Sequence, residues 1–177
     1  KKMNTAIWEK YSVKTKTIIT AITIVLAVVL PQILHLAAGK ALGEIWLPMH
    51  LPVILAGFIV GPVVGAVAGV LSPVISFLIS GIPSALLLPF MAIELFSYGF
   101  FAGLLSKTKI PTFFQVLSVQ VIGRLIRAAA ILIAVFGFNY SLNPMMILTS
   151  IKTGICGIVL QLVLIPIAVY AVKRNEK

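Results

Sequence analysis

Five long apolar stretches, at about 17–38, 50–80, 86–106, 112–136 and 145–172, take up most of this chain, with only short polar gaps between them. An α-helix needs roughly 20 such residues to cross the hydrocarbon of a bilayer, where each backbone group must find its partner inside its own segment. The second stretch is too long for one helix and is cut by Gly61 and Pro62; proline cannot continue a helix but is well suited to start the next. Six helices follow, about 17–38, 50–60, 62–80, 86–106, 112–136 and 145–172, in a single membrane domain over 1–177 with a basic N-terminal segment 1–16. With 60% hydrophobic and only 10% charged residues, and a mean hydropathy of +1.15, the composition exceeds what a soluble domain of this size can bury. The expected fold is all-α: a polytopic membrane protein with six transmembrane helices in a compact bundle.

The formal charge of +10 is distributed in a way that points to membrane topology. Lys1, Lys2, Lys10, Lys14 and Lys16 precede the first apolar stretch, Lys107 and Lys109 fill a mid-chain gap, and Lys173, Arg174 and Lys177 close the chain. With six helices, these ten cations share one side and Lys40 is alone on the other, so both termini are expected in the cytoplasm of a multi-pass plasma-membrane protein. Nucleic-acid binding would need aromatic or polar residues interleaved with the cations on a soluble face, and the sequence has none. The apolar run after Lys16 is too long for a signal-peptide core and no small-residue cleavage site follows it, so it is expected to be retained. The single Cys156 has no partner for an internal disulfide and no CxxC companion for a metal, which leaves it a packing residue.

Small residues set how helices meet. Gly61, Gly65 and Gly69 recur every four residues on the third helix, and Gly99 and Gly103 do so on the fourth. Such spacing lets backbones approach closely, a main source of helix association in lipid. Thr17 with Ala21 and Thr23 with Ala27 are weaker versions on the first helix, where internal packing and an external partner are equally good explanations.

Charges inside helices are costly and tend to face a bundle interior or a water-filled cavity. At about 1.5 Å per residue, Glu94 lies roughly 12 Å below the outer surface, Arg127 roughly 13 Å, Arg124 one turn deeper, and Lys152 roughly 10 Å. Gln120, Arg124 and Arg127 share one side of the fifth helix, and Glu94 and Tyr98 share one side of the fourth. The arrangement predicts a polar pocket opening outward between helices three to six, with Ser76 and Ser80 as neutral donors. Three cations against one carboxylate leave about two positive charges, which suits an anion gripped by arginine. A Glu94–arginine pair can equally be structural, and Arg124 or Lys152 can snorkel to an interface; matching depth on three helices favours a ligand site. The segment "AAGKALGEIWLPMHLP" (37–52) is either a lid over the pocket or an interfacial loop anchored by Trp46, with His50 beside the bundle mouth.

Residues 47–105 resemble the substrate-binding S components of energy-coupling factor (ECF) vitamin transporters. The likeness rests on "MHLPVILAG" at the short second helix, the "GP..G...G" link into the third, the "SGIP" outer turn and "ELFSYG...G" on the fourth. The resemblance implies a subunit that captures a vitamin from outside, then docks on a membrane scaffold subunit driven by two cytoplasmic ATPases and topples to release it inward. It also implies a docking pattern of alanines on the first helix, blurred here to Thr17/Ala21 and Thr23/Ala27, and makes 37–50 the gating loop. No cofactor, metal or catalytic set is implied. The absence of a GxxxxGK[ST] phosphate loop agrees with a subunit that depends on others for ATP.

Excess positive charge favours a carboxylate such as pantothenate or nicotinate over neutral riboflavin or pyridoxine and cationic thiamine. The main candidate aromatics, Tyr98, Phe96 and Trp46, are few, which weakens the case for a large flat ligand; nicotinate, folate and pyridoxine stand as the alternatives. Pantothenate is the first choice. The competing classes are an intramembrane enzyme, which would need clustered histidines or paired carboxylates, and a small channel, which would need polar residues along its whole depth. The chain has one membrane carboxylate and inner halves apolar apart from Gln115 and Gln120.

Overall fold

The computed structural model describes residues 11–38 and 45–175, which are helical apart from short connections and contain no strand. In chain order the helices are α1 (Val13–Ala38), α2 (His50–Val60), α3 (Pro62–Ser80), α4 (Leu88–Leu105), α5 (Thr112–Phe138), α6 (Met146–Thr153) and α7 (Ile155–Asn175). α1, α3, α4, α5 and α7 are long and apolar enough to cross a membrane, and α2 is a shorter apolar helix of 11 residues. The protein is an all-helical polytopic membrane bundle. Lys1, Lys2, Lys10, Lys40, Lys177 and the middle of the 37–52 segment lie outside the described residues.

Local chemistry sets the breaks. Ser12 caps α1, its hydroxyl accepting the Thr15 N–H at 3.2 Å. Gly61 separates α2 from α3 with φ 127° and ψ 176°, a conformation open to glycine, and Pro62 opens α3. α3 ends on Gly81 and α5 on Asn139, both left-handed. The last apolar stretch, expected as one helix over 145–172, is divided at Gly154 into α6 and α7. The segment before α2 lies on this division: a Cβ on Gly154 would meet the Leu47 side chain, and one on Gly157 would meet the Trp46 backbone.

α3 and α4 make the most extensive helix contact in the bundle. Gly65 and Gly99 face each other with no room for a Cβ on either, Gly69 lies against the Leu95 carbonyl, and Gly103 lies against Pro62. α2 sits in the middle, where Val53, Ile54 and Phe58 pack in one buried cluster with Leu95 and Tyr98 of α4, Val116 and Val119 of α5, and Ile165 and Val169 of α7. Ile18, Leu78, Leu125, Phe136 and Val163 are exposed on the outside, as a surface facing lipid tails requires.

α1 corrects one sequence expectation. Thr17 and Ala21 lie on its exposed face, but Thr23 is 5% and Ala27 0% exposed. Ala27 belongs to the buried cluster around α2, and the Thr23 hydroxyl donates to the Ile19 carbonyl at 2.7 Å. Two residues so covered offer no surface to another chain, so the Thr23/Ala27 pair packs the interior.

Candidate functional site

α5 presents Arg124 and Arg127 one turn apart toward α4. Next to Arg124, on the side away from Arg127, Gly123 leaves room for the Tyr98 ring, which a Cβ would strike. Glu94 stands one turn above Tyr98 on α4 and is 1% exposed. Its Oε2 accepts from Arg127 Nη1 at 2.8 Å, and its Oε1 accepts from the Tyr98 hydroxyl at 2.9 Å. His50 Nε2 lies 3.9 Å from the same Oε2. A buried carboxylate is tolerated only when paired and hydrogen-bonded, and Arg127 and Tyr98 supply both conditions. Arg124 has no such partner: its Nε is buried without a hydrogen bond.

His50, Glu94, Arg124 and Arg127 border a cavity of about 580 Å³, within the range of small-molecule sites. α1 contributes Pro31 and His35, the segment before α2 contributes Leu47 to Met49, and the α3–α4 turn contributes Gly81 to Ser84. Leu87, Met91 and Met146 add apolar wall, and Thr149, Ser150 and Thr153 of α6 add hydroxyls. An apolar enclosure with a few convergent polar groups is the usual form of a site that orients a small organic ligand.

Of the residues expected at the pocket, His50, Ser76, Glu94, Arg124 and Arg127 line it. Tyr98 lies behind Glu94 and acts on the cavity through that carboxylate. Ser80 instead accepts from Gln32 at 2.7 Å and donates to the Ser76 carbonyl at 2.8 Å. Gln120 is 3% exposed and donates to Gln161 Oε1 at 3.3 Å, because α7 covers α5 one turn below the arginines. Gln161 in turn donates to the Leu47 carbonyl at 3.3 Å, so the two glutamines tie α5, α7 and the segment before α2 together. Trp46 is 39% exposed and outside the lining, as is the stacked pair Phe96 and Phe100 on the outside of α4. Lys152 is exposed: Met146, Thr149, Ser150 and Thr153 occupy the cavity side of α6, and Lys152 falls off it. Without Lys152 the cavity charge is two arginines less one glutamate, a net of one positive charge with the histidines neutral.

The sequence reading missed Met91, Met146, Thr149, Ser150 and Thr153. Met91 sits three residues before Glu94 on the same side of α4, a spacing that would have found it. The α6 hydroxyls were hidden by treating 145–172 as one helix.

The family model described as "ECF transporter, substrate-specific component" matches residues 15–171. The chain belongs to this family. The match runs from α1 into α7 and so includes each residue that borders the cavity of this ECF component. No curated protein and no solved structure matches the chain.

Proposed function

We propose that the protein is the substrate-binding subunit of an ECF-type importer that takes a small carboxylate vitamin, pantothenate first, into the cavity bordered by α1 to α6. The observation that carries this reading is Arg124: the Nε of both arginines is buried without a partner, but Arg127 is committed through Nη1 to Glu94, whereas Arg124 borders the cavity with no ion pair among the described residues. Arginine grips a carboxylate through two parallel hydrogen bonds, and a low-polarity surround strengthens the pairing. Glu94, Arg127 and Tyr98 form the scaffold that holds the floor, and Ser76, Thr149 and Ser150 stand at the walls as neutral contacts.

In this reading the loaded subunit, with both termini cytoplasmic in the plasma membrane, docks through the Thr17 and Ala21 face of α1. Its partners are a membrane scaffold subunit and two cytoplasmic ATPases. The test is binding of radiolabelled pantothenate to protein purified in detergent, with nicotinate, folate and pyridoxine as competitors. Saturable binding displaced by unlabelled pantothenate and poorly by pyridoxine is the expected result. Failure to bind any vitamin, with ion flux in liposomes, overturns the reading in favour of a channel.

A further inference from the structure

His50 begins α2, its backbone N–H donating to the Leu47 carbonyl at 3.1 Å. Its side chain is 4% exposed and borders the cavity, and neither ring nitrogen has a hydrogen-bond partner. The neighbours hold the ring without satisfying it. Glu94 Oε2, at 3.9 Å from Nε2, is beyond hydrogen-bond reach and already accepts from Arg127. The Tyr98 ring stands 5.3 Å away at a 56° tilt, with its hydroxyl donated to the other Glu94 oxygen. The Ser76 proton goes to the Ile82 carbonyl at 2.7 Å. Buried polar atoms of folded proteins nearly always have a partner, so a fixed imidazole left open beside a cavity marks a place for one.

We propose that His50 is a second ligand contact, taking a neutral hydroxyl or amide of the ligand while Arg124 takes its carboxylate. This rests on the carboxylate reading above and narrows it. A second carboxylate at His50 would stand beside Glu94 and be repelled; a cation would face the two arginines that border the same space. A neutral imidazole offers one N–H and one lone pair, and a hydroxyl or an amide can answer either. The remaining wall, with Leu87, Met91 and Met146, suits an apolar body between the two polar ends. The ligand class is therefore a carboxylic acid that carries a hydroxyl or amide on an aliphatic frame.

The experiment compares pantothenate, which has both groups, with a straight-chain alkanoate of the same length, which has neither. The alkanoate is measured by competition against labelled pantothenate. The full chain is tested as parent, His50→Phe, His50→Gln and Arg124→Ala. The parent should prefer pantothenate by about tenfold or more, the worth of roughly one net hydrogen bond. His50→Phe should bring the two acids to within about twofold, His50→Gln should keep part of the preference, and Arg124→Ala should weaken both acids alike. A parent that binds both acids equally overturns the role of His50 and leaves the carboxylate reading standing, as does a His50→Phe protein with the parent's ratio. If His50→Phe does not fold, the parent's ratio and that of His50→Gln decide the matter. A parent that binds neither acid overturns the carboxylate reading itself, and this inference with it.

Discussion

Arg124 and Arg127 are chemically identical and one turn apart, yet the structure gives them different work. Arg127 neutralises Glu94 at 2.8 Å, so Arg127→Ala leaves a buried carboxylate without its counter-charge and should cost about 3–5 kcal/mol of stability. Arg124→Ala removes no ion pair; it should leave the melting temperature close to the parent's while weakening carboxylate binding by roughly 10- to 100-fold. Thermal melts and calorimetry on the two variants separate these outcomes, and equal melting temperatures would remove the distinction. The sequence placed Glu94 and Arg127 at one depth and Arg124 one turn deeper, because helix rise converts directly into height. It did not say which arginine meets the carboxylate, since height along an axis carries no information on how neighbouring helices are rotated. Lys152 shows the same limit: its depth suited the pocket, but its side of α6 does not.

Among the elements, α1 has two unlike faces. Ala21 is on the exposed face and Ala27 is fully buried against α2. Ala21→Leu should therefore fold and bind ligand like the parent but co-purify poorly with the scaffold subunit. Ala27→Leu should overpack the interior and lower stability by about 1–3 kcal/mol, read as a lower melting temperature. Unchanged complex yield for Ala21→Leu would move the docking face elsewhere. The α2–α3 break was legible because Gly61-Pro62 is a backbone signal that tertiary context does not override. The α6–α7 break was not, because Gly154 is a small residue in an apolar run, and its meaning lies in Leu47, more than a hundred residues away, packing against it.

Across the whole molecule, cavity and bundle are joined through the segment before α2. Leu47 and Met49 border the cavity, and Leu47 accepts from Gln161, which Gln120 holds from α5. Gln161→Leu removes both bonds. Each is worth about 0.6 kcal/mol by the average for polar contacts between membrane helices, so ligand dissociation should quicken by roughly three- to tenfold. A filter-binding chase with unlabelled ligand measures it, and an unaltered off-rate would show that the segment is held by other contacts. Gln120 was read from the sequence as a ligand contact because it shares a helix stripe with the arginines; the stripe continues below the cavity floor, where its neighbour is Gln161 of α7.

The single net positive charge of the cavity also has an electrical meaning. A transmembrane voltage does work on any charge carried through its field, about 2.3 kcal/mol per elementary charge for each 100 mV. Two arginines and one glutamate sum to plus one when the cavity is empty, and a monoanionic ligand brings the sum to zero. When a loaded cavity changes its depth or tilt in the bilayer, its own charges then sum to zero, and the membrane potential does no work on them. The empty cavity keeps its single charge, so in the proposed import cycle the polarity of the membrane would bias the return of the empty subunit rather than the passage of its cargo.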